Sequence, residues 1–320
     1  MEFLTQIQAI GTVFALILLY TLWRRKLNNH KTKGRDEVPT PSGALPISGH
    51  LHLIGGQEPP PKTLAVMADK YGPILMLRLG IHRTLVVSSW ELVKDCFTTN
   101  DRVFATRPQV AAGKYLGYNH AVFAFTPYGS YWRGIRNRTT LNLLSKARLD
   151  KLKHVRITIV DISIKELYSI WAKNGGTHPV KVEMEEWFDH LSLNIITEMI
   201  AGKRYLGNIN TGYEDEAKRL RRVIAQLRYQ FGVFVPSDVL PFCEWLDLGG
   251  HLKAMKSLAK EFDCILGNWV EEHRRNIAKK LAGEEEGELD FIDVMLTTLS
   301  EENLTCSYDD DTIIKATVLA

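Results

Sequence analysis

The 320-residue sequence is poor in cysteine and has almost no excess of either charge. No two cysteines lie at C-x-x-C spacing and none has a histidine at zinc-ligand spacing, which excludes a disulfide scaffold and a structural zinc site and indicates a reducing compartment. The 40 Lys and Arg residues offset 37 Asp and Glu residues, for a net charge of +3. This excess is too small to indicate a nucleic-acid partner. The four cysteines are Cys96, Cys243, Cys264 and Cys306.

Internal repeats are also missing, and the composition is that of an ordinary globular protein. Hydrophobic residues make up 45% of the chain and charged residues 24%. These values exclude intrinsic disorder, collagen and coiled coil for most of the chain. The length is compatible with two domains or with one large domain.

The amino terminus carries an uncharged, mostly apolar run from Phe3 to Trp23, and six basic residues follow it before the first acid, Asp36. About 20 apolar residues are enough for a helix to cross a bilayer. A cleaved secretory signal is the alternative, but Glu2 precedes the run and no small-residue cleavage site follows it. Residues 1–23 are therefore predicted to be a membrane anchor, with the rest of the chain in the cytosol.

Residues 24–61 are predicted to form a basic stop and a proline-rich hinge, after which short elements can be distinguished. A helix is expected from Lys62 to Tyr71, and a β-hairpin from the apolar runs 74–79 and 84–88. A capping box at Ser88 and Glu91 predicts the next helix.

Beyond that point, apolar residues recur at steps of three and four, which predicts helices almost throughout. The predicted fold class is therefore mostly α with a small β-sheet. Asp309–Asp311 provide the acid that a helix amino terminus favours, and the helix after them reaches Ala320 without a capping residue. This ending predicts a chain cut inside a buried helix. The clearest apolar series are Leu152, Val155 and Ile159; Leu191, Ile195 and Met199; and Leu258, Phe262, Ile265 and Trp269.

Several segments occur in an order that resembles the cytochrome P-450 family, the heme-thiolate monooxygenases, in its plant microsomal form. The resemblance implies a P-450-like fold in which residues 62–320 form part of the heme-monooxygenase domain, behind a single transmembrane helix. The segments that carry the resemblance are Tyr71-Gly72-Pro73, Phe104–Pro108, Pro127–Arg136, Ile200–Tyr205, Pro241–Asp247 and Trp269–Arg274.

Trp132 and Arg136 form the most chemically informative pair in these segments. Residues at i and i+4 share one face of a helix, so the indole N–H and the guanidinium can donate to one target. The resemblance implies that this target is a heme propionate. A surface cation–π pair is the alternative.

Eight Lys or Arg residues lie between Arg133 and Arg156 against one acid, Asp150. A solvated helical face is one explanation. The run lacks the interleaved aromatic residues of a nucleic-acid site. The resemblance implies instead that this face receives electrons from an acidic reductase, with Lys146, Arg148 and Lys151 as the residues to test.

Two aromatic groups are candidates for contact with an apolar small-molecule substrate. The resemblance places the loop from Val110 to Pro127 over the distal side of the heme, and it places a second apolar cluster in the roof of the site. Ordinary core packing and a membrane-dipping surface are the alternatives. The candidates are Tyr118, Phe123 and Phe125 in the loop, and Phe231 and Phe234 in the roof.

The family's heme-ligand motif, F-x-x-G-x-R-x-C-x-G, surrounds none of the four cysteines. We therefore predict no catalytic residue and no metal ligand in these residues, and no activity for the chain alone; His50, His52 and His82 have no partners at ligand spacing. The function that the resemblance implies is oxidation of a plant specialised metabolite at the endoplasmic reticulum membrane, with O₂ and with NADPH electrons passed through a reductase. The alternatives are a truncated, non-catalytic membrane protein, from a pseudogene or a splice product, and a membrane-tethered helical binding module.

Overall fold

A computed structural model describes residues 11–22, 38–56, 58–205, 214–247, 249–281, 289–301 and 307–320. The chain divides into two compact units. The described residues up to Asp101, together with Val239–Pro241, belong to the first unit. Arg102–Asp238 and Phe242–Ala320 belong to the second.

The first unit is built around one antiparallel hairpin. Ile74 pairs with Val87 and Leu79 with His82, so the turn is Gly80-Ile81 and the second strand begins two residues earlier than predicted. Leu75 and Leu77 are the fully buried residues of the first strand. The elements are α1 (11–22), α2 (Leu51–Ile54), α3 (Pro60–Tyr71), β1 (Ile74–Leu79), β2 (His82–Val87) and α4 (Trp90–Phe97).

The cap of α4 is Ser89 rather than Ser88, because the Ser89 hydroxyl accepts the Leu92 N–H at 3.3 Å. The predicted transmembrane run falls partly outside the described residues, and none of the helices that the structure describes has the length and hydropathy to cross a membrane.

His50 fastens the proline-rich segment to β1. Its ring is buried, with Nε2 at 2.9 Å from the carbonyl oxygen of Pro41 and Nδ1 at 2.9 Å from the amide nitrogen of Arg78. The Arg78 N–H donates to Nδ1, so Nε2 carries the proton and donates to Pro41. Gly49 beside it has a φ of +65°, and a Cβ there would lie 2.1 Å from the carbonyl oxygen of Arg78.

The second unit is helical in the residues that the structure describes. Two 3-10 helices, Pro236–Asp238 and Pro241–Leu246, lie between its long helices α11 and α12. The helices are α5 (Asp101–Phe104), α6 (Ala111–Tyr115), α7 (Ser130–Asn142), α8 (Lys146–Lys151), α9 (Lys153–Lys173), α10 (Met184–Ala201), α11 (Glu214–Gly232), α12 (His251–Leu281), α13 (Phe291–Glu301) and α14 (Asp310–Leu319).

The apolar series predicted from the sequence form the core of this unit. Leu152, Val155 and Ile159 are buried, and Leu191, Ile195 and Met199 of α10 pack against them. The series on α12 is buried as well, in a larger cluster that includes α11, α13 and α14. Asp309 caps α14 by accepting the Thr312 N–H at 3.2 Å, which confirms the expected helix start.

The segment that follows α10 is held by a half-buried carboxylate of α11. Glu216 Oε1 accepts the Tyr205 hydroxyl at 2.8 Å and the indole N–H of Trp269 at 3.2 Å. The Tyr205 amide donates to Asn194 Oδ1 at 2.9 Å. Lys203 adds a contact to Glu272 of α12 at 2.6 Å, so the polar groups of this segment bind three helices.

Candidate functional site

The candidate cofactor residues lie on α7, which buries one stripe of its surface. Tyr131, Ile135 and Thr139 recur every four residues and face the core. Trp132 and Arg136 occupy the adjoining stripe, so the indole is half-buried and the guanidinium is exposed. The structure therefore brings the two side chains together on one face, as the i, i+4 spacing predicted.

Trp132 and Arg136 belong to a longer ladder in which two adjacent rings lie between two cations. The Arg136 guanidinium lies 5.1 Å from the centroid of the Trp132 ring, and the Tyr128 ring lies 5.4 Å from the same indole. Arg133 covers the Tyr128 ring at 5.6 Å. Hydrogen bonds from Arg133 and Arg102 lower the pKa of the Tyr128 hydroxyl.

Tyr128 and Arg133 were not predicted as site residues from the sequence. Their spacing could have indicated them, because Tyr128 is four residues before Trp132 and Arg133 is three before Arg136. The ladder also shows that the cation–π contact named as the alternative is present. This cation–π contact does not occupy the N–H donors of Arg136. Those donors have no carboxylate partner among the residues that the structure describes.

The loop before α7 contains a left-handed turn at three consecutive residues. Tyr118, Asn119 and His120 have φ values of 50°, 52° and 67°. This conformation costs roughly 1–2 kcal/mol for each residue with a side chain, so other contacts must hold it. The Thr126 hydroxyl donates to the His120 carbonyl at 2.6 Å, and the Tyr308 hydroxyl donates to the Asn119 carbonyl at 2.9 Å.

The Tyr118 side chain is directed toward α12. Its hydroxyl donates to Asp263 Oδ1 at 3.1 Å, and the Lys315 ammonium of α14 donates to the same oxygen at 2.9 Å. Burial, followed by the neighbouring Asp263 charge, raises the pKa of Tyr118. Among the predicted substrate residues, Tyr118 is thus the one that ties α12 to the loop.

The remaining aromatic candidates separate into two groups. Phe125 and Phe231 stack at 5.5 Å between ring centroids, so the structure joins the loop to α11 at this point. Phe123 is half-buried and packs against the main core. Phe234 is 51% exposed and lies apart from the buried cluster.

A cavity of about 810 Å³ lies among α10, α11, α12 and α14. Phe231 is the one predicted substrate residue that lines it. Its apolar wall includes Leu193, Phe262 and Leu319, and its charged wall includes Arg221 and Asp189. The volume falls in the range of small-molecule sites.

The basic run predicted from the sequence is only partly a free surface. Lys146, Lys151 and Lys153 are exposed on α8 and α9. Arg148 is half-buried and donates to the Leu289 carbonyl, and Arg156 donates to the Leu149 carbonyl at 2.9 Å. Arg148 and Arg156 therefore hold the fold together and are not part of a free surface.

Comparison with known proteins accounts for this combination of elements. The family profile "Cytochrome P450" matches residues 39–320, which is most of the chain. The chain belongs to the cytochrome P450 family. The predicted mostly helical P450 fold with a small sheet is confirmed.

The most similar cytochrome P450 relatives include plant hydroxylases of several small molecules. A xanthotoxin 5-hydroxylase of Arabidopsis thaliana is 46% identical over 89% of this chain and 55% of its own length. A strychnine-10-hydroxylase of Strychnos nux-vomica is 44% identical over 95% of this chain and 57% of its own length. A flavonoid-6-hydroxylase of Mentha piperita is 42% identical over 99% of this chain and 60% of its own length. The chain spans a little over half the length of these relatives.

A solved structure of a zebra fish cytochrome P450 with progesterone has the same fold. It matches 82% of this chain with a TM-score of 0.57 and 20% identity, and the match covers 56% of its own chain. Cytochrome P450 membership implies heme iron as the cofactor. Trp132 and Arg136 fit that group, because heme carries carboxylate propionates and both side chains offer N–H donors from one helix face.

Proposed function

We propose that this chain is the amino-terminal part of a membrane-bound heme-thiolate monooxygenase that oxidises an apolar plant specialised metabolite. The observation that carries the proposal is the Trp132–Arg136 donor pair on α7, with no carboxylate partner among the described residues, in a chain that belongs to the cytochrome P450 family. The hydroxylase names of its plant relatives support the reaction class.

In this proposal the chain holds and orients two molecules. Trp132 and Arg136 donate to a heme propionate, and the Tyr128 ring packs against the indole and holds it in place. Heme, when bound, supplies the activation of O₂. Its thiolate ligand comes from outside these 320 residues, which have no cysteine in the family's ligand motif, so the chain alone is expected to be inactive.

The aromatic residues shape the space for the substrate. The stacked rings of Phe125 and Phe231 form its most rigid wall, and Phe123 supports the loop from the core. Tyr118 contributes through its ring, since its hydroxyl is engaged by Asp263. Phe234 contacts substrate only at an exposed entrance. The proposed substrate is therefore apolar.

The proposal also assigns the membrane anchor, the hinge and the surface that meets the reductase. Residues 1–23 anchor the protein in the endoplasmic reticulum membrane, residues 24–61 form a basic stop and hinge, and residues 62–320 are part of the catalytic domain on the cytosolic side. The exposed cations Lys146, Lys151 and Lys153 attract an acidic reductase. Arg148 has a structural contact and is left out of that docking face.

The test is expression of the complete coding sequence in yeast microsomes with a plant reductase. We expect the reduced carbon monoxide spectrum of a heme-thiolate protein, and NADPH-dependent incorporation of one ¹⁸O atom from ¹⁸O₂ into one of a panel of coumarins, flavonoids and indole alkaloids. A complete transcript that stops without a cysteine in the ligand motif would disprove the proposal and favour a non-catalytic membrane protein.

A further inference from the structure

His273 lies in a buried position where both ring nitrogens meet hydrogen-bond acceptors. Nδ1 is 2.6 Å from the carbonyl oxygen of Trp269, one turn earlier in α12. Nε2 is 2.7 Å from Asp290 Oδ2, at the start of α13. The exposed fractions are 6% for His273 and 6% for Asp290, so water does not compete for these contacts.

The geometry limits where the protons can be. A carbonyl oxygen only accepts, so Nδ1 must carry a proton. The Nε2 contact is then either an imidazolium that donates to a carboxylate or a neutral ring that accepts from a protonated Asp290. Asp290 Oδ1 accepts the Asp293 N–H at 3.0 Å and lies at the amino end of α13, and both features favour the ionised carboxylate.

We propose that His273 and Asp290 form a buried ion pair that locks α13 onto α12 and opens at alkaline pH. The lock is independent of the proposed function, because neither residue belongs to the candidate heme or substrate groups. Phe291, Ile292 and Met295 of α13 are fully buried, and α13 packs against α10, α12 and α14. Loss of the charge at position 273 therefore affects the attachment of the whole helix.

Other charged groups surround the pair without neutralising His273. Asp293 of α13 is fully buried beside it and adds a second negative charge. After α10, Lys203 pairs with Glu272 at 2.6 Å, so its charge is compensated. A Cβ at Gly202 would lie 3.2 Å from Asp290 Oδ2, which leaves Asp290 closely enclosed.

The direction of the pH effect follows from these contacts. Burial alone lowers the pKa of His273, but the hydrogen bond and charge of Asp290, with further help from Trp269 and Asp293, outweigh it and raise the pKa. The stabilisation is complete below about pH 6.5, the ordinary pKa of histidine, and is lost as the pH rises through the folded-state value. Between these values the folding equilibrium constant falls by up to about tenfold per pH unit.

The first test is ¹⁵N spectroscopy of the histidine rings in the 320-residue chain. We expect both ring nitrogens of His273 to be protonated at pH 7, with the Nε2 proton lost only at higher pH. Histidine signals are assigned with H273Q, and the exposed His154 serves as the reference. A His273 ring with a single protonated nitrogen at pH 7 would overturn the proposal, even if no variant folds.

The second test is amide hydrogen exchange of residues 291–299 between pH 6 and pH 10, corrected for the intrinsic rates. We expect protection of α13 to fall by up to about tenfold per pH unit between about pH 6.5 and the folded-state pKa, and to level off above it, in the unmodified chain and in H154Q. H273Q and D290N should show low protection at every pH. Protection that is independent of pH in the unmodified chain would overturn the proposal.

A metal site is the competing explanation, because one ligand atom each of His273, Asp290 and Asp293 can lie within 4.8 Å of the others. Zn²⁺ added to the chain at pH 7 distinguishes the two. We expect no stoichiometric binding by calorimetry. Binding of one Zn²⁺ that H273Q abolishes would replace the ion pair with a metal site.

Discussion

Gly49 lies where the proline-rich segment crosses β1, and its surroundings leave no room for a side chain. A Cβ would meet the Arg78 carbonyl oxygen at 2.1 Å, in a residue whose φ is already +65°. We expect Gly49→Ala to lower the free energy of unfolding by about 3 kcal/mol or more, because strain and a backbone clash add. Urea unfolding followed by circular dichroism measures the loss.

Gly43→Ala is the matched control for Gly49→Ala. Gly43 has a φ of +95°, but a Cβ there meets nothing within 4 Å. The control should cost only the conformational term, about 1–2 kcal/mol. Equal losses in the two variants would show that the close approach of Gly49 to β1 is unimportant.

Arg136 and Arg133 offer a second comparison, which decides between a cofactor contact and a surface contact. Both guanidinium groups cover a ring at similar distance, 5.1 Å for Arg136 and 5.6 Å for Arg133. In the complete enzyme we expect Arg136→Gln to lower heme content several-fold. Arg133→Gln should change it little, because Arg133 covers Tyr128 and not the indole.

The measurement is the pyridine hemochrome content of purified protein, compared at equal protein concentration. If both variants keep full heme content and lose the same small stability, about 0.5–1 kcal/mol, the ladder is only a surface cation–π arrangement.

The sequence predicted the pairing of Trp132 with Arg136 because it is local. It could not predict that His50 joins Pro41 to Arg78, because that partner is 28 residues away.

The packing of α9 on α10 rests on one short apolar stripe. Ile159 is 2% exposed and lies in the cluster with Leu152 and Val155, against Ile195. We expect Ile159→Ala to destabilise the second unit by about 2–5 kcal/mol, the range for buried isoleucine truncations. Thermal unfolding by calorimetry measures the effect.

Ile164→Ala on the same helix is the control, since Ile164 is 53% exposed. Truncation of an exposed side chain outside the buried cluster should change the free energy of unfolding by less than about 0.5 kcal/mol. A larger loss for Ile164 than for Ile159 would mean that the exposed face of α9 is covered in solution.

Periodicity predicted these helices well, because the spacing of apolar residues within one segment is enough to indicate a helix and its buried face. The Leu152 and Leu191 series are both present, and they pack on each other. Their mutual contact, however, depends on the path of the chain between α9 and α10. Element ends were less predictable: two adjacent serines can each cap α4, and only the geometry selects Ser89.

Across the molecule, the small net charge conceals a concentrated basic face on α8 and α9. Lys146, Lys151 and Lys153 are exposed there. In the complete enzyme we expect the triple Lys→Glu variant to raise the KM for the reductase at least tenfold at low salt, with a smaller effect above 0.5 M salt. Cytochrome P450 reduction by stopped flow measures it.

A triple Lys→Glu variant at Lys165, Lys173 and Lys181 makes the same change in net charge on other exposed positions. It should leave the KM for the reductase nearly unchanged. Equal effects of the two triple variants would show that net charge, and not the face, controls the encounter.

The fold class followed from sequence periodicity, but the separation of free cations from structural ones such as Arg148 required the coordinates.

If heme binds at Arg136 as we propose, Trp132 also makes the protein an optical reporter of its own cofactor. Trp132 is one of seven tryptophans, and its indole lies against both Tyr128 and the exposed Arg136. A porphyrin that reaches the guanidinium must come close to this indole, where excitation energy passes to the porphyrin instead of being emitted. Quenching of tryptophan fluorescence as heme is added therefore records loading in real time without any measurement of turnover.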